Sequence, residues 1–423
     1  MKKRIAVCIT CLLLMAALTA CGSSGGGSKE GADQAQTQAQ DQTQGQEETK
    51  AEETDAQEEA KAEAEEETEA EEETKAKPAG KLTLNVYNWG EYISDGSEGS
   101  YDTVREFETW YQEKYGQEVH VNYDTYASNE DMYSKLASGA VSYDVVIPSD
   151  YMIARMIEED MLLPLNFDNI PGYENIDENF RNLYYDPDNL YSVPYAYGIV
   201  GIIYNANEVD AADVDGWNLM WNDKYSGRIL QFNNSRDAFG TAFYKLGLDV
   251  NSTNKEDWDK GLEELITQRE LVYSYVMDEI YNIMESGEAA IGAYYAGDYF
   301  IMLDAQAENV DLKFYYPDPT NYYIDAMCIP TCCQNQELAE QFIEFMIERD
   351  AAVANAEYTY YASPNKIVYE DEEYKEDMGA DRIEILYPQI DDFAKNYNTY
   401  AYRNLDAEML DYINTLWENV KIN

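Results

Sequence analysis

The chain changes character about 80 residues from its start, where apolar and polar positions begin to recur with regular periods. Leu82, Leu84 and Val86 alternate with polar residues, which predicts a strand with one buried face. Residues 104–115 then place apolar side chains three or four positions apart and stop at Gly116, which is typical of an amphipathic helix and its C-terminal cap. The regular part of the chain therefore opens with a strand and a helix.

The same alternation of element types continues along the next part of the chain. Residues 118–123 alternate again, and Ser128 and Asp131 stand at the N-cap and N3 positions of the helix predicted to follow. The apolar run 144–148 is typical of a strand buried on both faces, and Ser149 is placed to cap a further helix. Strand, helix, strand, helix and strand in this order predict a doubly wound lobe.

A second set of α/β elements follows an irregular stretch between residues 164 and 196. Two of its strands, 198–204 and 322–330, are interpreted as crossings between two lobes. The strand at 289–295 is expected to end in Gly297 and Asp298. The other strands and helices are predicted at 227–232, 235–247, 258–271, 312–316, 336–349, 351–358 and 403–420.

The first 80 residues lack this periodicity. Residues 1–20 join a basic start to an apolar stretch of 16 residues, which is short for a membrane span and typical of a signal peptide. Leu-Thr-Ala-Cys at its end resembles the bacterial lipobox, which implies cleavage before Cys21 and a diacylglycerol on its sulfur; an ordinary signal peptide is the alternative. Residues 21–80 have almost no large apolar side chains and are acidic, so a disordered tether is expected.

The net charge of the predicted fold indicates which kinds of partner it can bind. The net charge is −54, and subtracting the +3 of residues 1–21 and the −13 of residues 22–80 leaves −44 on the predicted fold. Such a surface excludes nucleic acid as a natural partner and attracts cationic solutes.

The predicted fold contains an odd number of cysteines: Cys328, Cys332 and Cys333. An odd number favours free thiols over a disulfide framework, and a strained bridge between Cys332 and Cys333 is the alternative.

Catalytic signatures are missing from the sequence. It contains no Gly-x-Ser-x-Gly, no His-Glu-x-x-His and no phosphate-binding loop, and His120 is its one histidine. Carboxylate pairs are abundant, but chance pairs are inevitable in so acidic a chain, so a secreted carboxylate-pair glycosidase remains only an alternative from another class. We therefore predict that the protein is not an enzyme and that it has no catalytic residue, no cofactor and no metal site.

Aromatic and acidic residues recur where the predicted strands end. Ligands of open α/β sheets bind beyond the carboxyl ends of the strands. A carboxylate flanked by rings suits an organic cation, because the anion neutralises an ammonium group while the rings cover the carbons and attract the charge. The stretches of this kind are Trp89-Gly90-Glu91-Tyr92, Ser149-Asp150-Tyr151, Asn234-Ser235-Arg236-Asp237, Tyr294-Tyr295, Tyr322-Tyr323-Ile324-Asp325 and Tyr360-Tyr361.

Several of these stretches carry a resemblance to a known family. The chain resembles the spermidine/putrescine-binding proteins of bacterial ABC importers in Tyr87-Asn88-Trp89-Gly90-Glu91-Tyr92, Thr125-Tyr126-Ala127-Ser128-Asn129-Glu130-Asp131-Met132-Tyr133 and Tyr143-Asp144-Val145-Val146-Ile147-Pro148-Ser149. Further similar segments extend the resemblance over residues 82–420: Ser192-Val193-Pro194-Tyr195, Ser235-Arg236-Asp237, Ile324-Asp325 and Ser363-Pro364-Asn365. It implies a two-lobed α/β fold of the periplasmic-binding-protein type II (Venus-flytrap) class with two hinge strands. Lobe 1 would comprise 81–196 and 325–371, and lobe 2 would comprise 197–324 and 372–423.

The resemblance also implies a ligand site shared by the lobes. Its contacts would be Trp89, Glu91, Tyr92, Ser149, Tyr151, Asp237, Tyr295, Tyr323, Asp325 and Tyr361. Glu91, Asp237 and Asp325 would bind ammonium groups, while Tyr295 and Tyr323 would cover the methylene chain.

Two further positions of the implied site depart from the family pattern. Asn234 stands where the family often has an aspartate, and Arg403 stands where it has a glutamine. Losing an anion and gaining a cation weakens ammonium binding at one end of the pocket, unless Arg403 pairs with Asp237 or Asp406 and leaves the pocket. The choice between spermidine and putrescine therefore stays open, with Glu91 favouring spermidine.

The sequence thus predicts a monomeric, lipid-anchored receptor outside the cytoplasm. It would capture spermidine or putrescine between its lobes and deliver the ligand to ABC permease subunits in the membrane. A receptor for another organic cation, such as a quaternary amine, is the alternative. Carboxylates discriminate the two, because primary ammoniums need hydrogen-bond acceptors where a quaternary amine needs only an aromatic cage.

Overall fold

One mixed sheet runs through the protein, with parallel strands at both of its ends. This computed structural model describes residues 80–387 and 390–422, so the predicted signal peptide, Cys21 and nearly all of the tether lie outside the described residues. The strands are β1 (Leu82–Trp89), β2 (Val119–Tyr126), β3 (Val145–Val146), β4 (Ser192–Asn205), β5 (Ile229–Phe232), β6 (Val272–Val276), β7 (Ile291–Tyr295), β8 (Leu312–Tyr315) and β9 (Tyr322–Cys328). Their order in the sheet is β2-β1-β3-β9-β4-β7-β5-β6, and β8 pairs with β4.

Helices connect these strands and cover the sheet. They are α1 (Thr103–Tyr115), α2 (Asn129–Ala137), α3 (Asp150–Glu158), α4 (Ser235–Leu246), α5 (Lys255–Arg269), α6 (Ile280–Ser286), α7 (Ala296–Ala305), α8 (Gln336–Ile347), α9 (Arg349–Thr359), α10 (Lys366–Tyr369), α11 (Glu372–Met378), α12 (Ala380–Leu386), α13 (Ile390–Tyr400) and α14 (Ala407–Ile422). Short 3-10 helices lie at Ser97–Gly99, Phe167–Asn169, Pro171–Asn175, Glu178–Phe180, Ala211–Asp213, Trp217–Trp221 and Asp223–Tyr225. No helix of the described ranges is both long enough and apolar enough to cross a bilayer.

The first strand pair brings Trp89 to the end of the sheet. β1 and β2 run parallel in a register that begins with Leu82 opposite Val119 and ends with Trp89 opposite Tyr126. Leu84 in β1 is fully buried, as the alternating pattern predicts. α1 ends at Gly116 with a left-handed φ of 67°, a conformation that glycine adopts without the steric cost of a side chain.

Two strands carry the sheet from one half of the molecule to the other. β4 pairs antiparallel with β9 over 192–199 and then with β7 over 200–204, so its partner changes within one strand. A Cβ atom on Gly198 in β4 would collide with the hydroxyl of Tyr323 in β9, so the missing side chain is what lets this ring cross the strand. The predicted two-lobed fold with two crossing strands is confirmed, while the lobe boundaries stay a prediction.

The second half of the sheet is held against α4 and α5. Phe239 and Phe243 on α4 pack on Trp258 of α5, with ring centroids 5.4 and 4.5 Å apart, and all three side chains are buried. Asn234 is the N-cap of α4, because its side-chain oxygen accepts a hydrogen bond from the backbone N–H of Asp237 at 2.8 Å. This cap fixes the first turn of α4 at the end of β5.

Several sequence predictions differ from the observed elements. β6, α6 and α7 were not predicted, and Gly297 and Asp298 lie inside α7 rather than at a strand end. The last helix begins at Ala407, four residues after its predicted start, because the preceding residues contact other segments as irregular chain. Ser149 is the N-cap residue of α3 by position, but its side chain makes no capping hydrogen bond. Cys328, Cys332 and Cys333 form no disulfide in the described part of the chain.

Candidate ligand-binding cavity

The strand ends of both halves of the sheet open onto one cavity of about 740 Å³, counting its space open to solvent. Trp89 at the end of β1, Ser149 after β3 and Tyr295 at the end of β7 all line it. This is where open α/β sheets bind ligands. Ten of the twelve predicted ligand contacts line the cavity: Trp89, Tyr92, Ser149, Tyr151, Asn234, Asp237, Tyr295, Tyr323, Asp325 and Tyr361.

Asp325, which lies within β9, presents a partly unsatisfied carboxylate to the cavity. The Tyr92 hydroxyl donates to its Oδ2 at 2.7 Å. Its other oxygen, Oδ1, is buried and has no hydrogen-bond partner among the described residues. Burial raises the pKa of Asp325 to about 6, while the side chains of Ser149 and Tyr92 act in the opposite direction. A buried acceptor without a partner is costly, so a donor brought by a ligand would stabilise this group.

One group of acids lies beside a buried arginine; we call Glu130, Asp237 and Arg236 the Arg236 group. Asp237 Oδ2 accepts hydrogen bonds from the Tyr295 hydroxyl at 2.7 Å and from Asn234 Nδ2 at 2.8 Å. Burial raises the pKa values of Glu130 and Asp237, while the Arg236 charge acts in the opposite direction on both. The acids of this group therefore have a cationic neighbour inside the protein.

Arg236 itself is held by aromatic stacking behind the cavity wall. Its guanidinium lies 4.5 Å from the ring centroid of Tyr402, and only 4% of the residue is exposed. Its Nη1 donates to the backbone carbonyl of Val250 at 3.2 Å. The arginine is thus part of the wall and does not itself line the cavity.

A second pair of acids has only tyrosines around it; we call Asp278 and Asp298 the tyrosine-framed pair. The Tyr361 hydroxyl donates to Asp298 Oδ2 at 2.5 Å, and the Tyr281 hydroxyl donates to Oδ1. Burial, together with the charges of Asp278 and Glu91, raises the pKa of Asp298 to about 7. Asp298 is buried, whereas Asp278, which also lines the cavity, is exposed.

Asp150, at the start of α3, completes the set of cavity acids. Burial raises its pKa to about 7, while its Oδ2 accepts a hydrogen bond from the backbone N–H of Ile324 at 3.3 Å. Six acidic side chains line the cavity in all, and no Lys, Arg or His is among the described lining residues. A cavity with this balance favours a cationic ligand and repels an anionic one.

Aromatic rings form the walls between these acids. Tyr295 and Tyr323 meet edge to face with centroids 5.3 Å apart, and Tyr92 and Tyr361 do so at 4.7 Å. Trp89 is fixed by the hydrogen bond from its Nε1 to the carbonyl of Ile147 at 2.9 Å. Fixed rings beside carboxylates can cover an aliphatic chain and attract its charged ends.

Glu91 and Arg403 are the two predicted contacts outside the lining. Glu91 is exposed and has a left-handed φ of 49°, and burial together with the charges of Asp278 and Asp95 raises its pKa. The Arg403 guanidinium lies 3.4 Å from the ring centroid of Tyr184. The proposed ion pair of Arg403 with Asp237 or Asp406 is absent from the described part of the chain, so stacking holds it instead. Their ligand contacts stay predictions.

Four cavity acids were missed by the sequence analysis. Glu130 and Asp150 stand inside segments already singled out, and Asp298 was noted at an expected strand end, so their positions carried a signal. Asp278 carried none, because β6, which it follows, was not predicted. In residues 80–387 and 390–422, no three His, Cys, Asp or Glu side chains come together as a candidate metal site.

Known proteins are similar to this chain in sequence and in architecture. Residues 104–381 match the family described as bacterial extracellular solute-binding protein. The chain is 30% identical over 289 residues to the spermidine/putrescine-binding periplasmic protein of Salmonella typhimurium, covering 67% of this chain and 78% of that one. It is 27% identical over 305 residues to the putrescine-binding periplasmic protein PotF of Escherichia coli, covering 68% of this chain and 79% of that one.

A solved structure agrees with these matches. The spermidine/putrescine ABC transporter substrate-binding protein PotD of Streptococcus pneumoniae aligns with a TM-score of 0.62 at 33% identity, covering 81% of this chain and 99% of that one. Proteins of this family bind solutes for ABC transporters and are not enzymes, so the glycosidase alternative is wrong. The chain belongs to the family of bacterial extracellular solute-binding proteins and has their type II periplasmic-binding-protein fold.

Proposed function

We propose that this protein binds a polyamine, spermidine or putrescine, in the cavity at the strand ends. The observation that carries the proposal is the charge balance of the lining, which has six acids and no base among its described residues. The unpartnered Oδ1 of Asp325 supports it, because an ammonium group supplies the missing donor. The polyamine specificity named for the relatives supports the same ligand class.

The physical terms of such a complex are large enough for tight binding. A hydrogen bond to a charged group contributes roughly 1.5–3 kcal/mol, and a cation over a ring adds about 0.5–2 kcal/mol. Asp237 and Asp325 provide the first kind of contact, while Tyr295 and Tyr323 provide the second and cover the methylene groups. Closure of a cleft around the ligand excludes water and strengthens each charged contact.

A quaternary amine is the second candidate within the same class. The many rings of the cavity favour it, but it cannot donate hydrogen bonds to the carboxylates. Asp325 Oδ1 would then stay buried without a partner. The acids therefore favour primary and secondary ammonium groups.

The proposed role in transport rests on the family to which the chain belongs. We infer that the protein acts outside the cytoplasm, anchored by a lipid on Cys21, and delivers its ligand as a monomer to ABC permease subunits. The basic and apolar start of the chain and its Leu-Thr-Ala-Cys segment support the anchor. Replacement of Cys21 by serine should abolish incorporation of labelled palmitate into the protein in a bacterial host, and unchanged labelling would contradict the anchor.

Isothermal titration of the full chain with spermidine, putrescine, spermine and choline tests the ligand class. We expect at least one polyamine to bind with a dissociation constant of about 10 μM or tighter. Choline should bind at least a hundredfold more weakly, because it makes no hydrogen bond to the acids. Choline binding as tight as that of every polyamine, or no heat with any polyamine, would overturn the proposal.

A further inference from the structure

A second cavity shares part of its wall with the ligand cavity. It has a volume of about 410 Å³, counting its space open to solvent, and Glu130 and Tyr151 line both cavities. Arg155 of α3, Arg236 of α4 and Arg403, which precedes α14, also line the second cavity. Among the described lining residues, three arginines and one acid therefore border this space, which reverses the charge balance of the ligand cavity.

Two of these arginines have no acidic partner in residues 80–387 and 390–422. Arg155 is paired, because its Nε lies 2.9 Å from Glu159 Oε1. Arg236 and Arg403 form no ion pair with an acid of these ranges. Their guanidiniums donate to backbone carbonyls instead, at 3.2 Å in each case. The whole chain has 83 acids and 29 lysines and arginines, so the lack of a partner is not for want of carboxylates.

Each of the two unpaired arginines also has a nitrogen without a hydrogen-bond partner. Arg236 Nε and Arg403 Nη1 are buried, and neither donates to an acceptor in the part of the chain that the structure describes. Arg236 as a whole is only 4% exposed. A buried donor without an acceptor is costly, above all on a group that always carries its charge. An anion would offset this cost, because it accepts hydrogen bonds and neutralises the guanidinium.

The start of α4 and Asn251 hold the two arginines at the second cavity. Ser235, the first residue of α4, lines the cavity, and the partial positive charge of a helix N-terminus favours an anion. Asn251 Oδ1 accepts hydrogen bonds from Arg236 Nη2 at 3.3 Å and from the backbone N–H of Arg403 at 2.7 Å. This amide therefore joins the two segments that carry the unpaired arginines.

The charges around the second cavity fit a singly charged anion. With Arg155 already paired, two guanidiniums and one described lining acid remain, so one positive charge is left over. Burial raises the pKa of that acid, Glu130, which reduces its power to neutralise them. Asp237, which the charge of Arg236 also affects, lines the ligand cavity and not this one. Apolar side chains line much of the remaining surface, so the donors are too few for a phosphate with its three acceptor oxygens.

We propose that the second cavity binds a small monovalent anion, such as chloride, at Arg236, Arg403 and the first turn of α4. The anion accepts hydrogen bonds from Arg236 Nε and Arg403 Nη1 and supplies the counter-charge that these side chains lack. It is held apart from the polyamine, because Arg236 lines the second cavity and not the ligand cavity. Anion binding at this site goes beyond the proposed function and does not depend on it.

The linewidth of the chloride NMR signal tests the site, because chloride that exchanges with a protein site gives a broader signal. The full chain should broaden the signal, bromide should compete and remove most of the excess linewidth, and the larger gluconate ion should remove none. Arg403→Met and Arg236→Met should each reduce the excess at least fivefold, whereas Arg403→Lys, which keeps the charge, should retain at least half of it. Arg105→Met, which removes an exposed arginine outside the second cavity, is the matched control and should change the excess by less than a fifth.

Thermal unfolding at constant ionic strength gives a second readout. A ligand that binds the folded chain raises the unfolding midpoint, so replacing gluconate by chloride should raise it for the unmodified chain. The same exchange should leave the midpoint of Arg403→Met unchanged. Since Arg403 is half-buried and Arg236 is buried, Arg403→Met decides the question where Arg236→Met is destabilised.

The outcomes separate this site from the ligand cavity. No excess linewidth with the unmodified chain, an excess that Arg403→Met retains, or an equal loss with Arg105→Met would overturn the anion site. Each of these results would leave polyamine binding in the ligand cavity intact. Absence of polyamine binding by the unmodified chain would overturn the proposed function and leave the anion site standing.

Discussion

The two groups of acids in the cavity have the same kind of charge and opposite surroundings. In the Arg236 group, a buried guanidinium lies next to the acids and counteracts the effect of burial on their pKa values. In the tyrosine-framed pair, hydroxyls are the hydrogen-bond donors and the pKa of Asp298 rises to about 7. A binding site can thus place an internal cation beside some of its carboxylates and only hydroxyl donors beside others.

This difference has a consequence for ligand recognition. An internal cation favours the ionised form of a neighbouring acid, and an ionised acid attracts any ammonium, so it gives affinity without much selectivity. Acids that lack a cation change their protonation when a ligand arrives, and so they respond to how many charges the ligand brings. Five predictions test this comparison, in order of decreasing expected effect.

The largest effect should come from Asp325→Asn. Asp325 is hydrogen-bonded to Tyr92 and electrostatically close to Asp237, so its loss removes a contact that diamines and triamines share. We expect putrescine and spermidine binding to fall by about a hundredfold, as loss of a charged hydrogen bond of roughly 2–3 kcal/mol implies. Titration calorimetry measures the affinities for putrescine and for spermidine. A loss confined to spermidine would show that Asp325 belongs with the tyrosine-framed pair.

The pH dependence of binding should be next in size. Asp150 and Asp298 have pKa values of about 7 and Asp325 of about 6, so these groups become neutral as the pH falls through those values. Spermidine binding should therefore weaken about tenfold between pH 8 and pH 5.5 and should release protons near pH 6.5. Titrations in buffers of different ionisation enthalpy measure the proton release. Its absence would contradict protonation of these acids in the free protein.

The stability of the ligand-free protein should depend on pH in the opposite direction to ligand binding, and so it should decrease as the pH rises. These pKa values are raised in the folded state, so the folded chain binds protons that the unfolded chain has lost. The resulting contribution to stability is fully present below about pH 4 and is lost as the pH rises through about 7. The thermal unfolding midpoint should fall over this range, and Asp298→Asn should flatten the fall. Spermidine should raise the midpoint more at pH 8 than at pH 5.5.

A smaller effect should follow from Arg236→Met. This substitution removes the cation beside Glu130 and Asp237, so that neither group of acids has a cationic neighbour. Without the guanidinium, the pKa values of Glu130 and Asp237 should rise, so spermidine binding should weaken about fivefold at pH 6. At pH 8, loss of the guanidinium, whose positive charge repels the ammonium groups of the ligand, should not weaken binding. Arg236→Lys keeps the charge and serves as the control. An equal loss at both pH values would indicate a disrupted wall instead.

The smallest effect should come from Asn234→Asp. Asn234 Nδ2 donates to Asp237 Oδ2 at 2.8 Å, so the substitution puts two carboxyl groups in contact and one of them keeps its proton. Aspartate also caps helices, so α4 should keep its first turn. Affinity for spermidine at pH 7 should change less than threefold. A tenfold gain would show that the missing aspartate limits binding.

The sequence was sufficient where a motif sits at a strand end with a strong apolar pattern. Trp89 follows an alternating strand with buried Leu84 and Val86, and Asp325 lies within a buried crossing strand, so both positions could be read from the chain. The α/β class followed from such segments, whereas the two-lobed fold and the predicted ligand contacts followed from the resemblance of these segments to a known family. What the pattern could not provide is the neighbourhood of each side chain, as Arg403 stacked on Tyr184 demonstrates.

The region of the tyrosine-framed pair was missed for two physical reasons. β6 is an edge strand with only Val276 buried, so its apolar pattern is weak. Gly297 and Asp298 look like a turn after β7, yet they lie in the first turn of α7. A Cβ atom on Gly297 would lie 2.7 Å from the ring of Tyr361, so this glycine serves the close approach of an aromatic ring rather than a change of chain direction.

Gly198 in the crossing strand has a practical consequence for anyone mapping this receptor by saturation mutagenesis. The residue is not part of the cavity lining, but any side chain there would displace the hydroxyl of Tyr323 from its place over β4. Substitutions at Gly198 should therefore score as ligand-recognition defects in a growth or uptake screen. A map of functionally sensitive positions would thus extend into the backbone that joins the lobes, well beyond the side chains that touch the solute.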